Sequence, residues 1–526
     1  MKVQIMKTIS PSRRFFLKKT AFILPAISLL SSCGGGGSGS SSSILPTTPS
    51  PSGGSVTSPT TTTPPPTTNT ATDLSYGLRD FGQSPIPYSL LAKPAKGQTV
   101  IDPDTGMKIT RITDCVNDFK NLCAAPAYPT AMAWNCDESY FILYLPGSTA
   151  QSGGTQGWAL YDGKTYQFIN MLNINPADVE QFYWDHQNPA IVRYIDNHSV
   201  GSTVLADLTE INVQTGNKTV TYSFLPNGLP PGFPTAGPIR CGYPFALGIN
   251  SQGERIWGLG AGGVPNVDGE LGLQVFGFNE STKQFTLYDS TIIPQPQARG
   301  STPFPSLSGK YFIWNAAAST GLNSTPTTQS GIFDAITGQF IRWVNFDTNE
   351  HCDTAQNSLG QDLLVGSQFS RNTGGNGNVI VCNIETGEVF NFVGESSGWG
   401  YPVTGSLSGA TAWKNPNWVV TGMTGDIYGT NNNGPTPNPT TVLDQEIALT
   451  NLDTGKTWRL AHHRSTGNWS NASQSNYWAQ TNVTFSTTGT RILFQSDWGC
   501  LDPSNPTVNP NAPVDTYLLT LPSYTG

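Results

Sequence analysis

The segment 486-STTGTRILFQ-495 sets a polar turn directly ahead of an apolar run, and it has six counterparts along the chain. They are 135-NCDESYFILY-144, 185-DHQNPAIVRY-194, 250-NSQGERIWGL-259, 306-SLSGKYFIWN-315, 357-NSLGQDLLVG-366 and 408-SGATAWKNPNWVVTG-422. A second signal alternates with the first: a tight turn at Asp104-Thr105-Gly106, Asp162-Gly163, Thr215-Gly216, Ser281-Thr282, Thr337-Gly338, Thr386-Gly387 and Thr454-Gly455. Each is followed by alternating residues such as 339-QFIRW-343, 388-EVFNF-392 or 456-KTWRL-460, the pattern of a β-hairpin. Seven repeats of four short strands predict an all-β fold, a seven-bladed β-propeller. The first hairpin precedes any complete blade, and the chain ends one strand after the last apolar run. The ring is therefore expected to close with the N-terminal strand as the outer strand of the last blade.

The spacing S-x-x-G-x-R-I-L-F at 486–494 resembles the S-P-D-G-x-x-I-x-F units of TolB-like propellers, a repeat style shared by the oligogalacturonate lyases. The resemblance covers most of 100–521 and implies architecture. For those lyases it also implies a metal held by histidines on inner strands. Here the corresponding strand, 476-NYWAQTNVTFS-486, carries Asn482 and Val483 where a histidine would stand. No cofactor is therefore expected, with a divalent metal as the open alternative.

Residues 1–32 read as a signal peptide and 33–76 as a tether, leaving 77–526 for the propeller. Ser12-Arg13-Arg14-Phe15-Phe16-Leu17-Lys18 follows the pattern of twin-arginine export signals. The apolar stretch from Ala21 to Leu30 is too short to span a membrane. Leu30-Ser31-Ser32-Cys33 resembles a lipobox, which implies acylation at Cys33 and a bacterial cell-envelope address. The Gly/Ser/Thr/Pro segment that follows buries too little to repay its ordering entropy; as a coil it reaches roughly 35 Å.

Composition narrows the partners. The chain has 27 basic and 35 acidic residues, and loss of the signal's six basic residues leaves 21 against 35, a net of −14. Such a surface disfavours nucleic acid. Of eight cysteines, seven remain after Cys33, and none lies in a C-x-x-C pair, which excludes zinc ribbons and c-type haem. Cys115 and Cys123 bracket a short loop and could bridge after export; the others read as buried thiols. There is no G-x-S-x-G, Walker or H-E-x-x-H motif, which removes serine-esterase, NTPase and zincin readings.

The stretch 350-EHCDTAQNSLGQDLLVG-366 places His351 and Asp353 at the start of an inner strand, beside the central channel. Strand alternation points both to one side and Cys352 to the other. They form either a working pair at the channel mouth or a structural pair in which Asp353 orients His351. Connections at one end of the ring are long, and function collects on long loops held by rigid scaffolds. That face is expected to gather Arg240, Tyr243, Arg299, His351, Asp353, Trp399, Tyr401, His462, His463, Arg464, Trp478 and Gln480. Aromatic rings among amides and arginines suit sugars, because ring faces stack on apolar pyranose faces.

Two functions follow. The first is binding of a glycan or surface protein by a membrane-anchored module, one copy at a time. The second is β-elimination on a uronate polymer. There, Arg240 or Arg299 would sit on the carboxylate, His351 would act as base, and Tyr243 or Tyr401 would protonate the leaving oxygen. In the binding reading Asp353, Trp399, Trp478, Gln480, His462, His463 and Arg464 would line the ligand surface.

Overall fold

The computed structural model describes residues 72–235, 237–242, 247–265, 271–289, 292–293, 302–315, 329–348, 352–368, 377–399, 406–409, 412–423, 442–465, 478–499 and 513–525. Of the residues singled out above, Arg13, Arg14, Cys33, Tyr243, Arg299, His351 and Tyr401 lie outside the described residues.

Seven antiparallel sheets follow one another along the chain, and together they form the seven-bladed propeller. The chain opens with β1 (Thr99–Ile101) and β2 (Lys108–Arg111), then the short helix α1 (Cys115–Phe119). Blade 1 holds β3 (Tyr140–Leu145), β4 (Gly157–Asp162) and β5 (Phe168–Leu172); blade 2 holds β6 (Phe182–Trp184), β7 (Ile191–Val200), β8 (Thr203–Asn212) and β9 (Lys218–Leu225). Blade 3 comprises β10 (Ile239–Cys241), β11 (Leu247–Ile249), β12 (Arg255–Pro265), β13 (Leu271–Asn279) and β14 (Gln284–Thr286). In blade 4 are β15 (Phe304–Pro305), β16 (Tyr311–Asn315), β17 (Ser330–Asp334) and β18 (Phe340–Val344). Blade 5 has β19 (Cys352–Gln356), β20 (Asp362–Gln368), β21 (Gly377–Asn383) and β22 (Val389–Gly394); blade 6 has β23 (Ser406–Gly409), β24 (Trp418–Met423), β25 (Glu446–Asn451) and β26 (Thr457–His462). Blade 7 contributes β27 (Val483–Phe485), β28 (Arg491–Ser496) and β29 (Asp515–Thr520).

Every apolar run of the first signal forms the strand next to the inner position of its blade: β3, β7, β12, β16, β20, β24 and β28. Ring closure is as expected. The order in blade 7 is β1-β2-β29-β28-β27, with Ile109 opposite Leu519 and Arg111 opposite Tyr517. The edge that β29 would expose is thereby paired, which removes an aggregation-prone edge.

The tight turns share one mechanism. Asp102, Asp162, Asn212, Asn279, Asp334, Asn383 and Asn451 each accept two backbone N–H bonds, from the residues two and three further on. Four residues after each of these, the chain turns left-handed. Five of those positions are glycine, and the other two are Tyr166 and Lys283, both at φ 60°.

Inner strands are shorter than the repeat implies. In blade 1 the inner position near Tyr128-Pro129 pairs with β3 only through the isolated bridges Ala125–Tyr144 and Trp134–Phe141. Pro126 and Pro129 have no N–H to continue that ladder. In blade 7 the inner strand is β27 alone, and Trp478–Ala479 form a helical turn instead.

Buried arginines stitch neighbouring blades. Arg193 pairs with Asp185, Glu210 and Glu280 across blades 2 and 3, where Trp257 Nε1 also donates to Glu280 at 2.9 Å. Between blades 7 and 1, Arg491 pairs with Glu138 at 2.6 Å and lies 4.3 Å from the Trp134 ring centre. Burying such charges is tolerated because each is paired.

Cys115 and Cys123, the pair that could bridge, are buried free thiols here. Burial and the nearby Asp515 carboxylate push both thiols well above their ordinary range. Both sit in apolar clusters, where a thiol packs as a small hydrophobe.

Candidate functional site

Among the described residues, two places in the ring collect chemistry-bearing side chains. The first is the inner end of the blades. Asp353, on β19, is fully buried and its Oδ1 accepts the Thr354 N–H at 2.8 Å. Arg240, on β10, is half-buried and donates from Nη1 to the Ala177 carbonyl at 2.6 Å. Gln181, just before β6, donates through Nε2 to the Cys241 carbonyl at 3.4 Å.

Buried side-chain atoms without hydrogen-bond partners recur at these inner positions: Thr130 Oγ1, Gln181 Oε1, Thr354 Oγ1, Thr481 Oγ1 and Asn482 Nδ2. They come from blades 1, 2, 5 and 7, each on an inner strand or the segment leading into one. A buried polar atom left unpaired costs about 1–3 kcal/mol, so groups of this kind are matched by water or by a ligand. Gln480, part of the same approach to β27, is half-buried.

The second place is the outer edge of blades 6 and 7, which the expected binding face did not include. His462, His463 and Arg464 were expected on that face, but all three are completely buried. The reason is the segment before β1, which lies against this edge. Its Tyr88 ring packs 4.4 Å from the His462 ring and 5.0 Å from the Arg464 guanidinium. Arg464 donates to the Ser89 carbonyl at 2.8 Å and to Asp102 Oδ2 at 3.1 Å. His463 donates from Nε2 to the Met423 carbonyl at 2.8 Å and accepts the Ser465 N–H at Nδ1.

His462 ends β26 between two carboxylates: Nδ1 is 3.9 Å from Asp104 Oδ2 and Nε2 is 3.9 Å from Glu446 Oε1. Neither nitrogen has a hydrogen bond. Burial, reinforced by the Arg464 charge, lowers its pKa to about 3, so the imidazole is neutral. Glu446, paired with Arg459, is shifted upward by burial. One donor atom each from Asp102, Asp104 and His462 lie within 4.8 Å of one another, a grouping able to hold a metal ion.

Two tryptophans expected at the ligand surface have packing roles. Trp478 is buried against Ala125, Ala479 and Val514, with the Tyr144 ring 5.8 Å away. Trp399 is half-buried at the outer side of blade 5, in a cleft shared with Gln83, Phe392 and Lys456. It follows the outer strand β22 closely, its N–H donating to the Gly394 carbonyl at 3.1 Å. Asp102, Asp104, Glu446 and Tyr88 were not singled out as site residues by the sequence. Only the pair Asp102-Pro-Asp104 beside a turn could have flagged them, and every other hairpin carries a similar turn.

The fold is similar to that of an oligogalacturonate lyase in complex with manganese. The TM-score is 0.50 at 13% identity, covering 83% of this chain and 98% of that one. The oligogalacturonate lyase of Vibrio parahaemolyticus is likewise similar, with a TM-score of 0.50 at 13% identity over 81% of this chain and 99% of that one. At this identity the likeness is one of fold. No protein-family model matches the chain, and no characterised protein matches it in sequence.

Proposed function

We propose that the protein is a cell-envelope propeller, lipid-anchored through Cys33, that binds a glycan at the long-loop end of its inner strands. The observation that carries this reading is the set of unpartnered buried amide and hydroxyl atoms on Thr130, Gln181, Thr354, Thr481 and Asn482. Sugar hydroxyls both donate and accept, and neutral amides and hydroxyls answer them without the desolvation cost of a charge. Arg240 supplies a cation at the same end, which suits a carboxylated sugar in spite of the acidic surface overall.

A second reading, β-elimination on a uronate polymer, is favoured by the likeness in fold to two oligogalacturonate lyases. In it Arg240 would hold the substrate carboxylate and raise the acidity of the neighbouring C–H. The base and the proton donor would be His351 and Tyr243 or Tyr401.

One experiment separates the readings. The full chain is titrated calorimetrically with acidic and neutral oligosaccharides, and the same mixtures are followed for ultraviolet absorbance of new unsaturated ends. Binding without product, weakened at least tenfold by Gln181→Ala or Asn482→Ala, supports the glycan module. Product formation lost in Arg240→Ala supports the lyase. A chain that binds no saccharide and releases no product overturns both.

A further inference from the structure

We infer that Asp102, Asp104 and His462 form a divalent-cation site of the zinc or manganese class on the outer edge of the ring, remote from the inner-strand site. Three observations carry this. The donor atoms already lie within 4.8 Å of one another, and tetrahedral ligands at ordinary distances from one such ion are about 3.3–3.6 Å apart. Three atoms so spaced sit at most about 2.8 Å from a common centre, so each donor closes on an ion by moving inward no more than about 0.7 Å. His462 is fully buried yet has no hydrogen bond at either nitrogen, although carboxylates stand 3.9 Å from each. A buried imidazole in that state is an anomaly, and coordination would give its Nδ1 a partner.

The third observation is the local charge. Asp102, Asp104 and Glu446 bring three carboxylates, against the guanidinium groups of Arg459 and Arg464. The carboxylates outnumber the guanidinium groups, which favours a cation. The ligand carboxylates are also held in place by other groups. Asp102 Oδ1 caps its turn, and Asp104 accepts the Ser89 N–H at 2.8 Å and the Ser89 hydroxyl at 2.5 Å. Outer hydrogen bonds of this kind fix the orientation of metal ligands.

One imidazole with two carboxylates selects zinc or manganese over calcium and magnesium, which prefer all-oxygen cages. The consequence is mechanical. Asp102 and Asp104 lie on the β1–β2 turn that edges blade 7, while His462 ends the outer strand of blade 6. A bound ion would staple the two blades at the point where the ring closes.

The test uses the full chain, stripped with a chelator and titrated with zinc and manganese chlorides. The expected result is one tight equivalent, with an unfolding temperature that rises with metal and falls with chelator. His462→Gln should weaken binding at least 100-fold and abolish the metal-dependent shift. His198→Gln removes the half-exposed imidazole near Asp196 and Asp207 and should leave both unchanged. Should His462→Gln fail to fold, Asp104→Asn decides by the same criterion. X-ray absorption of the zinc-loaded parent should show a single imidazole and oxygen ligands, with no sulfur. The inference is overturned by absence of stoichiometric uptake, by full binding in His462→Gln or Asp104→Asn, or by thiolate or several imidazoles around the ion.

Discussion

Arg111→Met and Asp515→Asn, alone and together, should reveal a coupling between residues 404 positions apart. Asp515 on β29 is fully buried. Its Oδ2 receives Arg111 Nη2 and Lys93 Nζ, both at 2.9 Å, and its Oδ1 receives the Thr113 hydroxyl and the Cys115 N–H at 2.9 Å. Asparagine preserves the shape and the Oδ1 acceptor but turns an amide toward two cations. Charge-assisted hydrogen bonds contribute about 1.5–3 kcal/mol each. The cationic partners retain 13% and 21% exposure, so water recovers part of that. A loss of about 3 kcal/mol is expected for Asp515→Asn and about 2 kcal/mol for Arg111→Met, which keeps the stem packed. Because both remove the same contact, the double mutant should fall short of their sum by about 1–2 kcal/mol. Urea unfolding at constant m-value measures all four corners of the cycle. Additivity within about 0.3 kcal/mol would refute closure of the ring by the N-terminal strand, because only that closure brings the two residues together.

Other predictions test separate elements. Lys283→Gly should raise stability by about 0.5–1 kcal/mol by relieving a left-handed residue at φ 60°, whereas Tyr166→Gly should lower it. Tyr166 accepts a bond from Arg491 at 3.2 Å, which glycine forfeits, so equal signs in the two thermal melts would refute the turn analysis. His186 is half-buried with its ring 3.7 Å from that of Trp413 and its Nε2 covered, and desolvation lowers its pKa to about 3. The unfolded chain therefore takes up this proton first, and stability should fall below about pH 6.5 by up to about 1.4 kcal/mol per unit. His186→Phe should lessen the slope between about pH 7 and 5 by its own share and leave the shares of buried His462 and His463; an identical profile in the variant counts against the assignment. Arg13→Lys with Arg14→Lys should retain precursor in the cytoplasm and Cys33→Ala should block acylation; cell fractionation and fatty-acid labelling would expose normal export or lipidation as the refuting result.

Blade number, strand order within blades and the closing strand were legible in the sequence because they depend on short-range chemistry. An Asp or Asn that caps its own turn, a left-handed residue four positions later and an apolar second strand recur with every blade. The closing strand follows from counting, since an extra hairpin at one end and a missing strand at the other have one shared solution. The site was far less legible. His462 closes an outer strand, and with His463 and Arg464 it looks like the start of a long loop. Only the approach of Tyr88 and Ser89, more than 370 positions earlier, buries them. Trp478 and Trp399 have the composition of a sugar surface, but their neighbours across blades make one a core residue and the other part of an outer cleft. The gathering of Asp102 and Asp104 against His462 arises only when the ring closes, because their separation in the chain is set by the whole circumference. Local hydrogen bonding determines the repeat, whereas contacts between distant segments decide which polar residues face water, a ligand or one another.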